Sequence, residues 1–141
     1  ITVERGGERI RLIGLNDIGH LPVSGVDNKI AAMQQTLEAL MNKQSGFTIA
    51  LSHRPELIDA YARTNVDLVL CGHAHGGQFR LPLIGGLYAP GQGAFPEYDS
   101  GVYTYQNANM VVSRGIGQSS FPLRFNNRPE LVIITLGGTD K

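Results

Sequence analysis

Phe47-Thr48-Ile49-Ala50-Leu51-Ser52-His53-Arg54-Pro55-Glu56 and, ten residues further on, Val66-Asp67-Leu68-Val69-Leu70-Cys71-Gly72-His73-Ala74-His75 decide how this chain folds. Each begins as a short apolar run rich in β-branched residues, which reads as a strand buried on both faces. Each run ends at a histidine. Between them, Pro55 suits the first turn of a helix over Pro55–Arg63, and Glu56 favours its positive end. Strand, helix, strand in this order predicts a parallel βαβ unit. His53 and His73 then follow the C-terminal ends of neighbouring strands, the edge at which open α/β sheets build their sites. His73 and His75 are two apart, and in an extended backbone such residues project to one side. Three of the four histidines are thereby expected around one centre. Imidazole suits zinc, iron, manganese or nickel, and affinity alone does not choose among them. Gly72, Gly76 and Gly77 keep the surrounding space clear and let the chain turn tightly.

Working outward, Thr2–Glu4 and Arg9–Leu15 read as strands joined at Gly6-Gly7. Ile30, Met33, Leu37, Leu40 and Met41 share one helical face, so a helix is expected over Asn28–Asn42 with Asp27 as its N-cap. Gly72 to Asp99 is loop-rich. Val102–Gln106 and Met110–Ser113 read as hairpin strands, and Leu131–Leu136 as a last strand. The fold class is α/β, a mixed sheet with helices on one face, in a single domain over residues 1–141. Cys71 alternates into a strand and is expected to be buried and apolar. His20, in a turn-rich segment without a partner, is expected in surface or loop packing. Asp17 is a candidate to support the metal ligands.

The balance of charge excludes some classes. Lys+Arg and Asp+Glu are equal at 12 each, leaving no global basic field for nucleic acid or an anionic membrane. One cysteine allows no internal disulfide. The longest apolar runs, five or six residues, fall far short of the ~20 needed to span a bilayer. The chain starts at Ile1 rather than methionine, which reads as a fragment or processed product. Its compartment, cytoplasmic or membrane-associated, is left open.

Gly72-His73-Ala74-His75 resembles the GHxH motif that closes the calcineurin-like metallophosphoesterase signature. Ser52-His53-Arg54-Pro55-Glu56 resembles the same family's upstream single-histidine motif. Gly76-Gly77-Gln78, Arg80-Leu81-Pro82, Ala89-Pro90, Gln92-Gly93, Phe95-Pro96, Gly101-Val102-Tyr103, Val112-Ser113-Arg114-Gly115 and Arg128-Pro129-Glu130 continue the similarity in the family's order. They are most similar to a bacterial branch of predicted phosphohydrolases. The resemblance implies the C-terminal half of an α/β/β/α sandwich. It implies two divalent metals (manganese, iron, zinc or similar), His53 and His73 on one and His75 on the other. It further implies hydrolysis of a phosphoester or pyrophosphate bond in a phosphorylated substrate. The family's D-x-H, G-D-x-x-D and G-N-H-[DE] motifs are absent from this sequence. Partial metal occupancy is therefore expected of the chain alone, and it is expected to be inactive without a motif-bearing N-terminal half. Arg114 and Arg124, in glycine- and turn-rich loops, are candidates to bind phosphate bidentately.

The alternative is a non-enzymatic metal-binding or interaction domain that retains the histidines. A cupin-like HxH barrel is weaker, since that fold wants a nearby glutamate and many regular strands. The strands of the βαβ unit are apolar at nearly every position, yet only two helices are available to cover them. One sheet face is therefore expected to need a partner, either an N-terminal half or a second copy of the chain.

Overall fold

A computed structural model describes residues 1–20, 22, 24–41, 46–119 and 121–137. β1 (Thr2–Arg5) and β2 (Glu8–Gly14) form the expected hairpin. α1 (Val26–Met41) follows, then β3 (Phe47–Ser52). A 3-10 turn at Pro55–Leu57 leads into α2 (Ile58–Ala62) and on to β4 (Leu68–Cys71). Two small antiparallel pairs occupy the glycine-rich stretch: β5 (Arg80–Leu81) with β6 (Gly85–Gly86), and β7 (Tyr88–Ala89) with β8 (Gly93–Ala94). The hairpin of β9 (Gly101–Tyr105) and β10 (Ala108–Val112) closes the main sheet.

The main sheet runs β1-β2-β3-β4-β10-β9. Its four central strands are parallel, and an antiparallel strand flanks each side. Register aligns their C-terminal ends: Gly14 faces Leu51, Ser52 faces Cys71, and Cys71 faces Val112. The loops that leave β2, β3, β4 and β10 therefore emerge side by side.

Both helices lie on one face. Ile30, Met33 and Leu37 of α1 and Ile58 and Tyr61 of α2 pack with Ile13, Ala50, Val69 and Met110 in one buried cluster. Alternate residues of the same strands form a second cluster on the opposite face, where Ile49, Leu68 and Val111 are buried with Ile10, Leu12 and Leu70 around them. Among the described residues no helix covers that second face, and Phe47 and Leu51 remain 40% and 46% exposed there. Arg11 turns to the helical side and donates to Thr48 Oγ1 at 3.2 Å and to the Met41 sulfur at 2.9 Å, which lets a charged residue sit in the core.

Three expectations need correction. Asp27 lies in the first turn of α1 rather than at its cap, because the helix begins at Val26. Pro55–Arg63 is divided between a 3-10 turn and one and a half turns of α-helix. Leu131–Leu136 forms no strand. A strand requires a partner backbone, whereas Leu131, Val132 and Ile134 instead line a cavity of about 290 Å³ against Leu70 and Val111 on the uncovered face. Asn42 and the side chain of His20 fall outside the described residues. No helix among the described residues is long and apolar enough to cross a membrane.

Candidate metal centre at the strand ends

Four of the loops at the C-terminal edge of the parallel strands carry polar residues that bear on one another. β2 delivers Asp17, β3 delivers His53 and Arg54, β4 delivers His73 and His75, and β10 delivers Arg114. The His53 and His73 rings meet with centroids 4.1 Å apart, tilted by 44°. Burial first, then the charge of His53, pushes His73 down to about 4. His75 is also lowered, by burial first and then by the charges of Arg124 and His53. His73 is thus neutral at pH 7, with a ring lone pair available, which is the form a metal ligand requires. Among the described residues, no three His, Cys, Asp or Glu side chains gather closely enough to hold an ion between them. His53 and His73 form a pair, and His75 does not join them in a three-ligand cluster.

The backbone around the histidines departs from the extended form expected of it. His73 has φ 65° and His75 φ 47°, both in the left-handed region, and Gln78 follows at φ 61°. The extended i, i+2 relation expected to turn both imidazoles to one side is therefore not formed, and His75 instead opens a tight 3-10 turn over His75–Gly77. Left-handed backbone at non-glycine residues costs roughly 1–3 kcal/mol each and persists only where surrounding contacts impose it.

Those contacts are present. Asn127, 3% exposed, donates from Nδ2 to the His75 carbonyl at 2.6 Å and to the Gln78 carbonyl at 3.1 Å. Gln78 donates from Nε2 to the Phe121 and Leu123 carbonyls at 2.6 and 3.2 Å. Arg80 donates to the Gly76 carbonyl at 2.8 Å and pairs with Asp99 at 2.9 Å. Asp99 in turn accepts the Gly86 amide at 2.6 Å. Gly77 and Gly86 approach so closely that a Cβ on Gly86 would lie 2.6 Å from the Gly77 Cα, so both positions demand glycine.

The loop after β3 is clamped from both sides of His53. Arg54 donates to both carboxylate oxygens of Asp17, from Nε to Oδ1 and from Nη2 to Oδ2 at 3.2 Å, and from Nη1 to Glu56 Oε1 at 3.2 Å. Tyr61, fully buried, donates to the Arg54 carbonyl at 2.6 Å and shares a 2.6 Å hydrogen bond with Ser52. Asp17 is thus committed to Arg54 and to the Gly19 amide at 3.0 Å. Sequence offers no signal for this link, because 37 residues separate the partners.

The Arg54 guanidinium beside Asp17 holds its carboxyl well below the usual carboxylate range. Hydrogen bonds from the Arg114 side chain and amide lower Glu130 likewise. A carboxyl lowered in the fold contributes stability that is complete above its unfolded value, ~4, and is lost as pH falls below that value. Asp17→Asn should therefore destabilise the chain at neutral pH by about 2–3 kcal/mol, the scale of a lost hydrogen bond to a charged group. It should also flatten the acid limb of thermal stability against pH. Parallel wild-type and variant curves below pH ~4 would show that the link carries no such stability.

The two arginines differ in their surroundings. Arg114 is engaged: its amide and Nη2 donate to Glu130 at 3.0 and 2.9 Å. Arg124 Nη2 donates to the carbonyls of Arg114, at 2.9 Å, and Gly117, and no carboxylate among the described residues pairs with it. Cys71 is buried in the helical-face cluster, and burial pushes its thiol up to about 12, so it is an inert core residue.

The chain is 32% identical to the uncharacterized metallophosphoesterase YkuE of Bacillus subtilis over 142 residues, covering 99% of this chain and 48% of that protein. The phosphodiesterase YaeI of Escherichia coli is 36% identical over 88 residues, 62% of this chain and 32% of its own length. An uncharacterized metallophosphoesterase of Aquifex aeolicus is 30% identical over 128 residues, 84% of this chain and 46% of its own. No family model matches the chain, and no solved structure matches it. Similarity of this extent to several proteins of one name, together with the α/β sheet and its histidine-bearing edge, places the chain in the metallophosphoesterase family. It spans about half the length, or less, of the curated relatives it matches.

Proposed function

We propose that this chain supplies His53, His73 and His75 to the metal centre of a phosphohydrolase that cleaves phosphoester or pyrophosphate bonds. The observation that carries this reading is the close, tilted approach of the His53 and His73 rings at the ends of adjacent parallel strands. Two imidazoles held 4.1 Å apart between ring centres, with His73 kept uncharged, lose little on taking up a divalent ion and are otherwise a poor core contact. His53 and His73 would ligate one ion, and His75, outside their pair, would ligate a second. Bound divalent ions supply Lewis-acid polarisation of a phosphoryl group. The chain's own part is to fix the ligands: Arg54 and Tyr61 immobilise the residues flanking His53, and Asn127 and Gln78 hold the turn that carries His75. Acidic or amide ligands to complete the coordination would come from a further part of a longer protein. The names of the relatives, metallophosphoesterase and phosphodiesterase, accord with this chemistry.

The test is hydrolysis of a chromogenic phosphomonoester and phosphodiester with added manganese. The chain alone should show no turnover, and a longer protein containing it together with D-x-H, G-D-x-x-D and G-N-H-[DE] motifs should show metal-dependent turnover. Absence of turnover in that longer protein with either ester and any divalent ion would favour the interaction-domain reading.

A further inference from the structure

A cavity of about 510 Å³ has Gln118, Arg124, Asn126, Asn127 and Arg128 in its lining. Two cations and three carboxamides face this space, and no carboxylate lines it. Asn127 belongs to both cavity and turn, since its Nδ2 holds the His75 carbonyl while its Oδ1 is buried without a hydrogen-bond partner among the described residues. Arg124 is the more unusual group. Its Nη2 is fixed on two backbone carbonyls, its Nη1 is buried and finds no partner among the described residues, and no described carboxylate balances its charge. A guanidinium that is partly buried and uncompensated is costly, and the cost is removed by an anion that accepts its free N–H groups. Arg114 also buries a nitrogen, Nε, without a partner among the described residues, but Glu130 balances its charge.

We infer that Arg124, with Arg128 at the rim, forms an oxyanion site beside His75 that binds a phosphoryl group of the substrate. Arg124 acts by charge and by its fixed fork. Anchoring through Nη2 leaves the rest of the guanidinium oriented, so little side-chain freedom is lost when an oxygen docks. Asn127, which lines the same cavity as Arg124, holds the His75 carbonyl and so joins the site to the His75 turn. This assignment deepens the phosphohydrolase reading by naming the residue that holds the substrate's phosphate, but it requires only residues of this chain.

The test is titration of the chain with inorganic phosphate at constant ionic strength, followed by backbone amide NMR shifts, without metal and then with manganese. Saturable shifts are expected over residues 114–128 in both conditions. Arg124→Gln should weaken phosphate binding roughly tenfold or more, as loss of a charge-assisted hydrogen bond does, while Arg128→Gln should weaken it less. Arg124→Lys, which keeps the charge without the fork, should restore part of the affinity. Unchanged phosphate affinity in a folded Arg124→Gln variant, or no saturable shift near residue 124 in the wild type, overturns the inference. The histidine reading fails separately: if manganese binding survives His73→Ala while the Arg124 result holds, the oxyanion site stands and the metal assignment falls.

Discussion

Replacing His73 by alanine in the longer protein should lower phosphoester turnover by roughly 1,000-fold, more than the 10–100-fold typical of losing a partner one step removed from a metal. His73 supplies one of the two imidazoles that meet at the sheet edge, so its loss leaves His53 without the second donor. The backbone provides the control. His73 sits at φ 65°, where glycine is at ease and alanine is not. His73→Gly should therefore abolish turnover as fully as His73→Ala while keeping the turn intact, as judged by the Asn127 and Gln78 side-chain amide resonances. Near wild-type turnover in either variant would remove His73 from the metal centre. Turnover lost only in the alanine variant would assign the residue to loop geometry instead.

The second large effect concerns the uncovered sheet face. Ile49, Leu68 and Val111 are buried there, with Leu12 and Leu70 beside them, but the cover is a thin one: segment 131–136 passes over without strand pairing, and Leu131 and Ile133 are 82% and 85% exposed. Each 100 Å² of apolar surface withdrawn from water contributes ~2.5 kcal/mol, before the cost of association is subtracted. We propose that in a longer protein the remaining part packs on this face, and that the chain alone pairs two such faces in a two-fold dimer. Light scattering at micromolar concentration should give twice the monomer mass. Leu51→Lys, which places a charge on the exposed flank of that face, should return the chain to a monomer without changing α1 or its core. A clean wild-type monomer that binds no hydrophobic dye would contradict the proposal.

Much of this architecture is legible before any coordinates are known. The apolar runs at 47–51 and 66–71 read as doubly covered strands, and β3 and β4 are parallel neighbours. The 3.6-residue stripe from Ile30 to Met41 buries Ile30, Met33 and Leu37 as it predicts, but Leu40 at its far end is 40% exposed. Local pattern fails where distant contacts decide. The left-handed backbone at His73 and His75, the Asn127 hydrogen bond that holds the His75 carbonyl and the Gly77–Gly86 approach are not visible from the HxH spacing. Residues 131–136 carry a strand's composition without a strand's partner, because propensity cannot supply a second backbone. The small pairs β5–β6 and β7–β8 are two residues per strand, too short for any alternation to announce them. At the site, the three histidines stand out by type and position. The supports do not: Arg54–Asp17 and Arg114–Glu130 join residues 37 and 16 apart, and Asn127 reaches His75 across 52.

The central claim is that His53 and His73 share a metal ion. Titration of the chain with manganese, observed through the imidazole C–H resonances, tests it directly. The two histidines should broaden together at the lowest metal concentrations, with weak affinity, and His53→Ala should protect His73 from broadening. If the His53 and His73 signals persist unchanged, or if each broadens independently of the other's presence, they do not form one metal site and the account is wrong.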